Sequence, residues 1–524
     1  MVYSIDNNAA NYKKVIMKHQ SLKKSLLILL CALITQSRVQ SSDRHSATQT
    51  VIMTAIVGAT AYTAYSYVHA PVTPTIKIKN VAQEKLNFPS DFAWGVSTSS
   101  TQCEQTNHNN CWSRSYLDTI ESKKNTIAPN HACNSWTHWK DDIDKAIHLG
   151  CTSYRISFEW SRIQPTEGTL DQDAINHYVE IAKYCQKNNI QLMCCLHHYS
   201  DPIWFMHKGG FAKAENITLF TDYCQKMYEA LQAYVHQWIV ISQPVAYALK
   251  GYKVGMQPPF LKDSGLETTV MLNMFNAHIA VYDILHNAFK NNSIGKKPEV
   301  GLCHQIVQMK AASSFNPLEQ LVATFADRLS NQTLLRTFTD GHFQSLMPMV
   351  DIAYLPDAPD KFDFFALSYY SPLAFTGITP NGPACDEQCA SRDAFRIIDK
   401  EGMYDAIVQA SKLGKPIYIV ENGINPKNEE QRELLLNSYL SAISQAIADG
   451  YNVRGYMHWT LMNNYEWCYI DEQGNINQNN PDFGLYHNRI INDTTGQLHA
   501  DHANHDAMLK QSGKYYKNII AMQK

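Results

Sequence analysis

The sequence predicts one α/β domain, a (β/α)8 or TIM barrel over residues 88–524, preceded by a non-barrel leader, residues 1–87. Three observations carry this. Apolar strand-like runs alternate with longer helical segments at 93–100, 153–160, 190–199, 238–244, 299–306, 363–372, 416–424 and 453–462; strands alternating with helices in this way build a parallel barrel. Nearly every run ends in polar or aromatic residues: Gln102 and Glu104, Arg155 and Glu159, His197 and His198, Gln243, His304, Tyr369 and Tyr370, Glu421, Trp459. The run at 416–424 passes from β-branched residues straight into Glu421, then Asn-Gly. It reads as a strand buried on both faces. A charged side chain at the carboxyl end of a barrel strand faces a pocket rather than a packed layer, so Glu421 reads as chemistry. Length alone would suggest two or three domains, but one of this size is ordinary for a barrel.

From about Phe88 onward the chain resembles glycoside hydrolase family 1, the β-glucosidase-like retaining glycosidases. Seven segments carry the resemblance, in the family's order: Phe88-Pro-Ser-Asp-Phe-Ala-Trp-Gly95, Tyr154-Arg-Ile-Ser-Phe-Glu-Trp-Ser-Arg-Ile163, Leu196-His-His-Tyr-Ser-Asp-Pro-Ile-Trp204, Asp363-Phe-Phe-Ala-Leu-Ser-Tyr-Tyr370, Ile419-Val-Glu-Asn-Gly423, Gly455-Tyr-Met-His-Trp-Thr-Leu-Met-Asn-Asn-Tyr-Glu-Trp467 and Phe483-Gly-Leu485. Retaining hydrolysis uses two carboxyl groups roughly 5–5.5 Å apart, one a nucleophile and the other an acid that later serves as base. The resemblance makes Glu421 the nucleophile. It places the partner Glu in an Asn-Glu-Pro after strand four, where this chain has Ser242-Gln243-Pro244.

An amide keeps the shape of Glu but cannot exchange a proton near neutral pH. General acid–base catalysis contributes about 10²–10⁴-fold, so simple O-glycosides should turn over poorly. Ser242 replaces an Asn that, by resemblance, holds the sugar 2-hydroxyl. Tyr199 stands where the family usually has Trp, and Ser368 where it usually has Asn. The glycone set is better kept. Resemblance assigns Gln102, His198, Glu466 and Trp467 to sugar hydroxyls, Trp459 to stacking under the ring, and Arg155 and Tyr370 to flanking and orienting Glu421. Retention of Glu466 favours a neutral hexose.

Each of these residues has a plainer reading when taken singly: a buried Trp is usually core, and a strand Arg is usually half of an ion pair. It is the full set in register that outweighs it. Glu159 is a weak candidate for a surrogate acid and reads better as structural, paired with an Arg; Glu104 reads as a structural partner at the pocket floor. His197 and His198 are adjacent on a strand and point to opposite faces, which is no metal site. No metal or cofactor is expected. A net charge of −3 gives no basis for nucleic-acid binding.

In the leader, Lys23-Lys24 precede the apolar run 25–34, which is signal-peptide-like, although no clean cleavage site follows. A second uncharged stretch, 50–68, is long enough to span a bilayer, and a polar linker follows from Thr73 to about Leu86. Export or membrane association through this segment is the expectation, with a cytoplasmic protein as the alternative. Cys194-Cys195 lie on a buried strand, where free Cys acts as a small hydrophobe; Cys385 and Cys389 could close a disulfide in a polar loop. The partner expected is a β-linked glycoside or oligosaccharide. The leading function is a β-glycosidase-like hydrolase of O- or S-linked β-glycosides, β-glucosides first. Its alternatives are a transglycosylase and an inactive carbohydrate- or protein-binding descendant.

Overall fold

A computed structural model describes residues 82–524 except 106, 121–127, 345–350, 382–396, 468–480 and 493–494. The signal-like run, the stretch 50–68, most of the linker and the Cys385–Cys389 pair lie outside the described residues. Leu86, assigned to the end of the linker, is buried and belongs to the same core cluster as Phe88, Phe92 and Trp94.

The barrel is closed. Its strands are β1 Ala93–Ser97, β2 Ser153–Ser157, β3 Gln191–His197, β4 Gln237–Ile241, β5 Glu299–Gln305, β6 Phe364–Ser368, β7 Ile417–Asn422 and β8 Val453–Trp459. Each pairs in parallel with its chain neighbours, and β8 returns to β1 in the register Ala93 to Gly455 through Ser97 to Trp459. The apolar runs are long because each strand is buried twice. Met193, Cys195, Ile239, Cys303, Phe364, Ala366, Val420 and Met457 fill the barrel interior, while alternate residues such as Leu192, Cys194, Val240, Phe365 and Ile419 pack against the helices. Cys194 and Cys195 are both fully buried and free, one on each face.

Helices α1 Ser135–His148, α2 Gln172–Lys187, α3 Ile217–Leu231, α4 Ser264–Asn292, α5 Thr333–Asp340, α6 Lys400–Ser411, α7 Glu429–Ala448 and α8 Gln511–Gln523 follow the strands in turn. Several start at an Asp or Asn whose side chain accepts a first-turn N–H, as Asp171 does for α2, Asp263 for α4, Asp399 for α6 and Asn428 for α7. Such a cap typically stabilises a helix by about 1 kcal/mol. Among the described residues no helix is long and apolar enough to cross a membrane.

Strand parity corrects part of the expected rim. His304 follows the inward Cys303 and so turns outward toward Ser330 and Asn331, where burial pushes its imidazole down to about 3. Of the tyrosine pair, Tyr369 joins the helix-side core and Tyr370 faces the pocket. His197 and His198 diverge as expected: His197 Nε2 meets Asp201 at 3.0 Å, while His198 Nε2 lies 4.0 Å from Glu421 Oε1.

Candidate active site

The site is built around Glu421 at the carboxyl end of β7. Strict alternation would send Glu421 outward, because Val420 points into the barrel. The pairing of β7 instead shifts between Ile419 and Glu421 against β6, and between Ile419 and Asn422 against β8. A bulge of this kind re-aims a side chain, and it turns the carboxylate into the pocket. Asn422 Nδ2 donates to the Tyr369 carbonyl at 2.6 Å and its Oδ1 accepts from Tyr456 at 2.9 Å, which holds the turn. Gly423 is required next, since a Cβ there would collide with the Trp459 carbonyl.

Three donors converge on the carboxylate, which is 3% exposed. Arg155, fully buried on β2, pairs with Oε1. Tyr370 OH donates to Oε2 at 3.0 Å and Gln243 Nε2 donates to the same oxygen at 2.9 Å. Burial works to lower the Arg155 guanidinium, but the charge and hydrogen bond of Glu421 head the opposing influences, and the net shift is upward. The other Arg155 nitrogen donates to Ser242 Oγ at 2.9 Å, so the Ser that follows β4 ties the arginine rather than standing free.

Gln243 is clamped from both ends. Tyr199 OH donates to Oε1 at 2.8 Å, which leaves the amide N–H groups facing Glu421. Gln243 and Tyr199 both have left-handed backbones, with φ of 50° and 60°. That conformation costs of order 1–3 kcal/mol for residues with a side chain and clusters at functional sites. Pro244 then starts a short helix at its favoured first position. The space between positions 243 and 421, where two carboxyls would flank a glycosidic bond, is closed by this hydrogen bond. Ser368, beneath Glu421 on β6, is fully buried and its Oγ has no hydrogen-bond partner.

The predicted sugar-binding residues are contiguous with this centre. Ser99 donates to Gln102 Oε1 at 2.6 Å, and Gln102 Nε2 donates to Glu466 Oε2 at 3.1 Å. Trp459 Nε1 reaches the other Glu466 oxygen at 3.0 Å. Burial, together with the charge of Glu421, pushes the Glu466 carboxyl up to about 8. The His198 ring lies 6.0 Å from both Trp459 and Trp467. Burial and Arg155 hold it well below the ordinary imidazole range, so it is neutral. Trp459 also packs with Tyr370 and Phe483.

The two spare carboxylates lie elsewhere. Glu159 does not pair with an Arg as expected; it accepts from Thr101 and Ser161 at 2.6 Å and Ser200 at 2.9 Å, a closed shell of hydroxyls. Arg162 goes to Glu104 instead, at 3.2 Å. Glu104 lines a separate cavity of about 50 Å³ with Trp136, Tyr154 and Tyr178, rather than the sugar pocket floor. Among the described residues no group of three His, Cys, Asp or Glu is placed to hold a metal. The clamp on Gln243 is not readable from the sequence: Tyr199 is visible there as a departure, but nothing in its spacing says which side chain it grips.

Residues 84–524 match the glycosyl hydrolase family 1 model. The chain is similar to β-glucosidase A of Acetivibrio thermocellus, 26% identical over 83% of this chain and 98% of that protein. It is also similar to the chloroplastic galactolipid galactosyltransferase of Arabidopsis thaliana, 26% identical over 68% of this chain and 55% of that one. Among solved structures it resembles a β-glycosidase from Pyrococcus horikoshii, with a TM-score of 0.69 and 28% identity over 84% of this chain and 96% of that one. The fold is shared with a Thermotoga maritima β-glucosidase in complex with glucoimidazole, at a TM-score of 0.69, 22% identity, and coverage of 83% and 99%. With a family match over most of its length and a closed eight-stranded parallel barrel, this chain belongs to glycosyl hydrolase family 1.

Proposed function

We propose that the protein acts on β-glycosides, β-glucosides first, by a retaining mechanism in which Glu421 is the nucleophile and Gln243 occupies the acid/base position. The observation that carries this is the convergence of Arg155, Tyr370 and Gln243 on one buried carboxylate beside the Gln102–Glu466–Trp459 network. In the first step Glu421 attacks C1, the bond from C1 to the aglycone breaks, and its electron pair leaves with the aglycone. Gln243 supplies no proton, so aglycones that depart as stable anions are favoured. The glycosyl ester is then released by water without base assistance, or by a better acceptor. The sugar's hydroxyl rim suits the polar set Gln102, His198 and Glu466. The buried Nδ1 of His198 has no hydrogen-bond partner among the described residues, and a hydroxyl would satisfy it. A neutral hexose fits the retained Glu466.

The 2.9 Å contact between Gln243 and Glu421 favours a second reading, a sugar-binding protein without turnover, because the contact must open before C1 can approach. Transfer to an acceptor is the third, supported by similarity to the galactosyltransferase. Incubation with dinitrophenyl 2-deoxy-2-fluoro-β-glucoside, followed by intact mass and peptide mapping, separates them. The hydrolase and transferase readings expect one glycosyl adduct on Glu421. Glucose binding with no adduct would establish the non-catalytic reading.

A further inference from the structure

Lys250 has no part in the reaction described above, and its position is unusual. It lies six residues beyond Pro244, on the turn of helix Leu249–Val254 that leaves Gln243. Its ammonium sits over the Tyr199 ring, 5.5 Å from the centroid, and the hydroxyl of that ring is the donor that clamps Gln243. Its charge also reaches two other pocket groups: it opposes the burial-driven rise of the Glu466 carboxyl and adds to the depression of His198. Lys250 is half-buried and, among the described residues, forms no ion pair or side-chain hydrogen bond. Arg155, by contrast, is engaged through both terminal nitrogens with Glu421, Ser97 and Ser242. A cation held beside the acid/base position, with no carboxylate bonded to it among the described residues, favours negative charge on that side of the pocket, and a partly buried charge is screened less than a surface one.

We propose that Lys250 is a specificity-determining residue that selects aglycones carrying a negative charge, by pairing its ammonium with that charge at the leaving-group side of the pocket. This rests on the retaining reading above and names its substrate class: β-glycosides of anionic or acidic aglycones. In the glycosylation step the C1–aglycone bond breaks as the Glu421 ester forms, the electron pair leaves with the aglycone, and no proton moves. The cation offsets charge that an acid would otherwise neutralise.

The test separates recognition from chemistry. Two hydrolysis-resistant aryl C-β-glucosides, identical except for a carboxylate or a carboxamide on the aryl ring, are titrated calorimetrically against the full chain. The native protein should bind the carboxylate about tenfold more tightly at low salt, with the preference shrinking as salt rises. Lys250→Met should abolish the preference and leave carboxamide binding unchanged, and Lys250→Arg should retain most of it. Equal affinities in the native protein, or a preference that survives Lys250→Met, would overturn the assignment even if Glu421 is labelled by the fluoro-sugar. Failure to bind either compound would remove both this inference and the glycoside reading beneath it.

Discussion

Replacing Gln243 by Glu tests the reaction at its weakest point. The two side chains are isosteric, so Oε1 can still accept from Tyr199. The change places a second carboxyl 2.9 Å from the Glu421 oxygen that now receives an amide N–H. Two carboxylates at that separation would repel by roughly 6 kcal/mol at an effective dielectric of 20. The pair therefore keeps one proton near neutral pH, which is the state a general acid requires. Restoring that acid should raise turnover of alkyl β-glucosides by about 10²–10⁴-fold, or roughly 3–5 kcal/mol of barrier. For dinitrophenyl glucosides, which need no protonation to leave, kcat/KM should gain only a few-fold, while kcat, limited in the native chain by unassisted release of the glycosyl ester, should rise. Azide should accelerate the native protein, because it attacks the glycosyl-enzyme without a base, and should yield the β-glycosyl azide; the variant should lose that response. Steady-state rates over leaving groups of graded pKa, with and without azide, read all of this. If the native chain already hydrolyses alkyl glucosides within tenfold of the variant and ignores azide, the proton comes from another group, and the account of Gln243 fails.

Two further outcomes follow from the electrostatics of the site. Arg155→Met should destabilise the fold by about 3–5 kcal/mol, since it strands a buried carboxylate, and adding Glu421→Gln should recover much of the loss. Chemical denaturation measures both, and a loss under 1 kcal/mol for the single variant would contradict the pairing. Glu466, raised from 4.5 to about 8 by burial, is harder to ionise in the folded chain than in the unfolded one. Its contribution is fully present below about pH 4.5 and is lost as pH rises through 8. The native protein should therefore lose stability relative to Glu466→Gln across that window, and parallel melting curves for the two would refute the shift.

The barrel was legible because strands buried on both faces write themselves as apolar runs, and because chemistry at their carboxyl ends must interrupt those runs with polar residues. The aim of each polar residue was less legible. At a strand's last positions a single step of parity decides between pocket and helix layer, which is why His304 and Tyr369 fall outside the rim while their neighbours Cys303 and Tyr370 face inward. Glu421 shows the limit most clearly. Its identity as a pocket carboxylate is plain from the sequence around it, yet regular alternation from Val420 would point it the wrong way. The bulge that corrects it lies in the pairing with β6 and β8 and leaves no mark in the run 416–424 itself.

The departures Tyr199, Ser242 and Gln243 were visible as separate substitutions, and their meaning depends on the bonds among them. Ser242 takes one Arg155 nitrogen while Glu421 takes the other, so the shorter side chain helps fix the arginine that orients Glu421. Tyr199 donates to Gln243, and Gln243 donates to Glu421, so the two bonds form a chain in which each polarises the next. The amide at 243 thus has two effects of different kinds. It cannot shuttle a proton, and it adds a donor to the Glu421 oxygen that attacks C1 in the proposed mechanism. A glycone that opens the Gln243–Glu421 contact frees that oxygen, so part of its binding energy is spent on activation rather than on affinity. Gln243→Ala therefore separates the two effects, because it lacks the proton shuttle as the native chain does but also lacks the clamp. It should label with the activated fluoro-glucoside faster than the native protein, and equal or slower labelling would show that the clamp does not restrain Glu421.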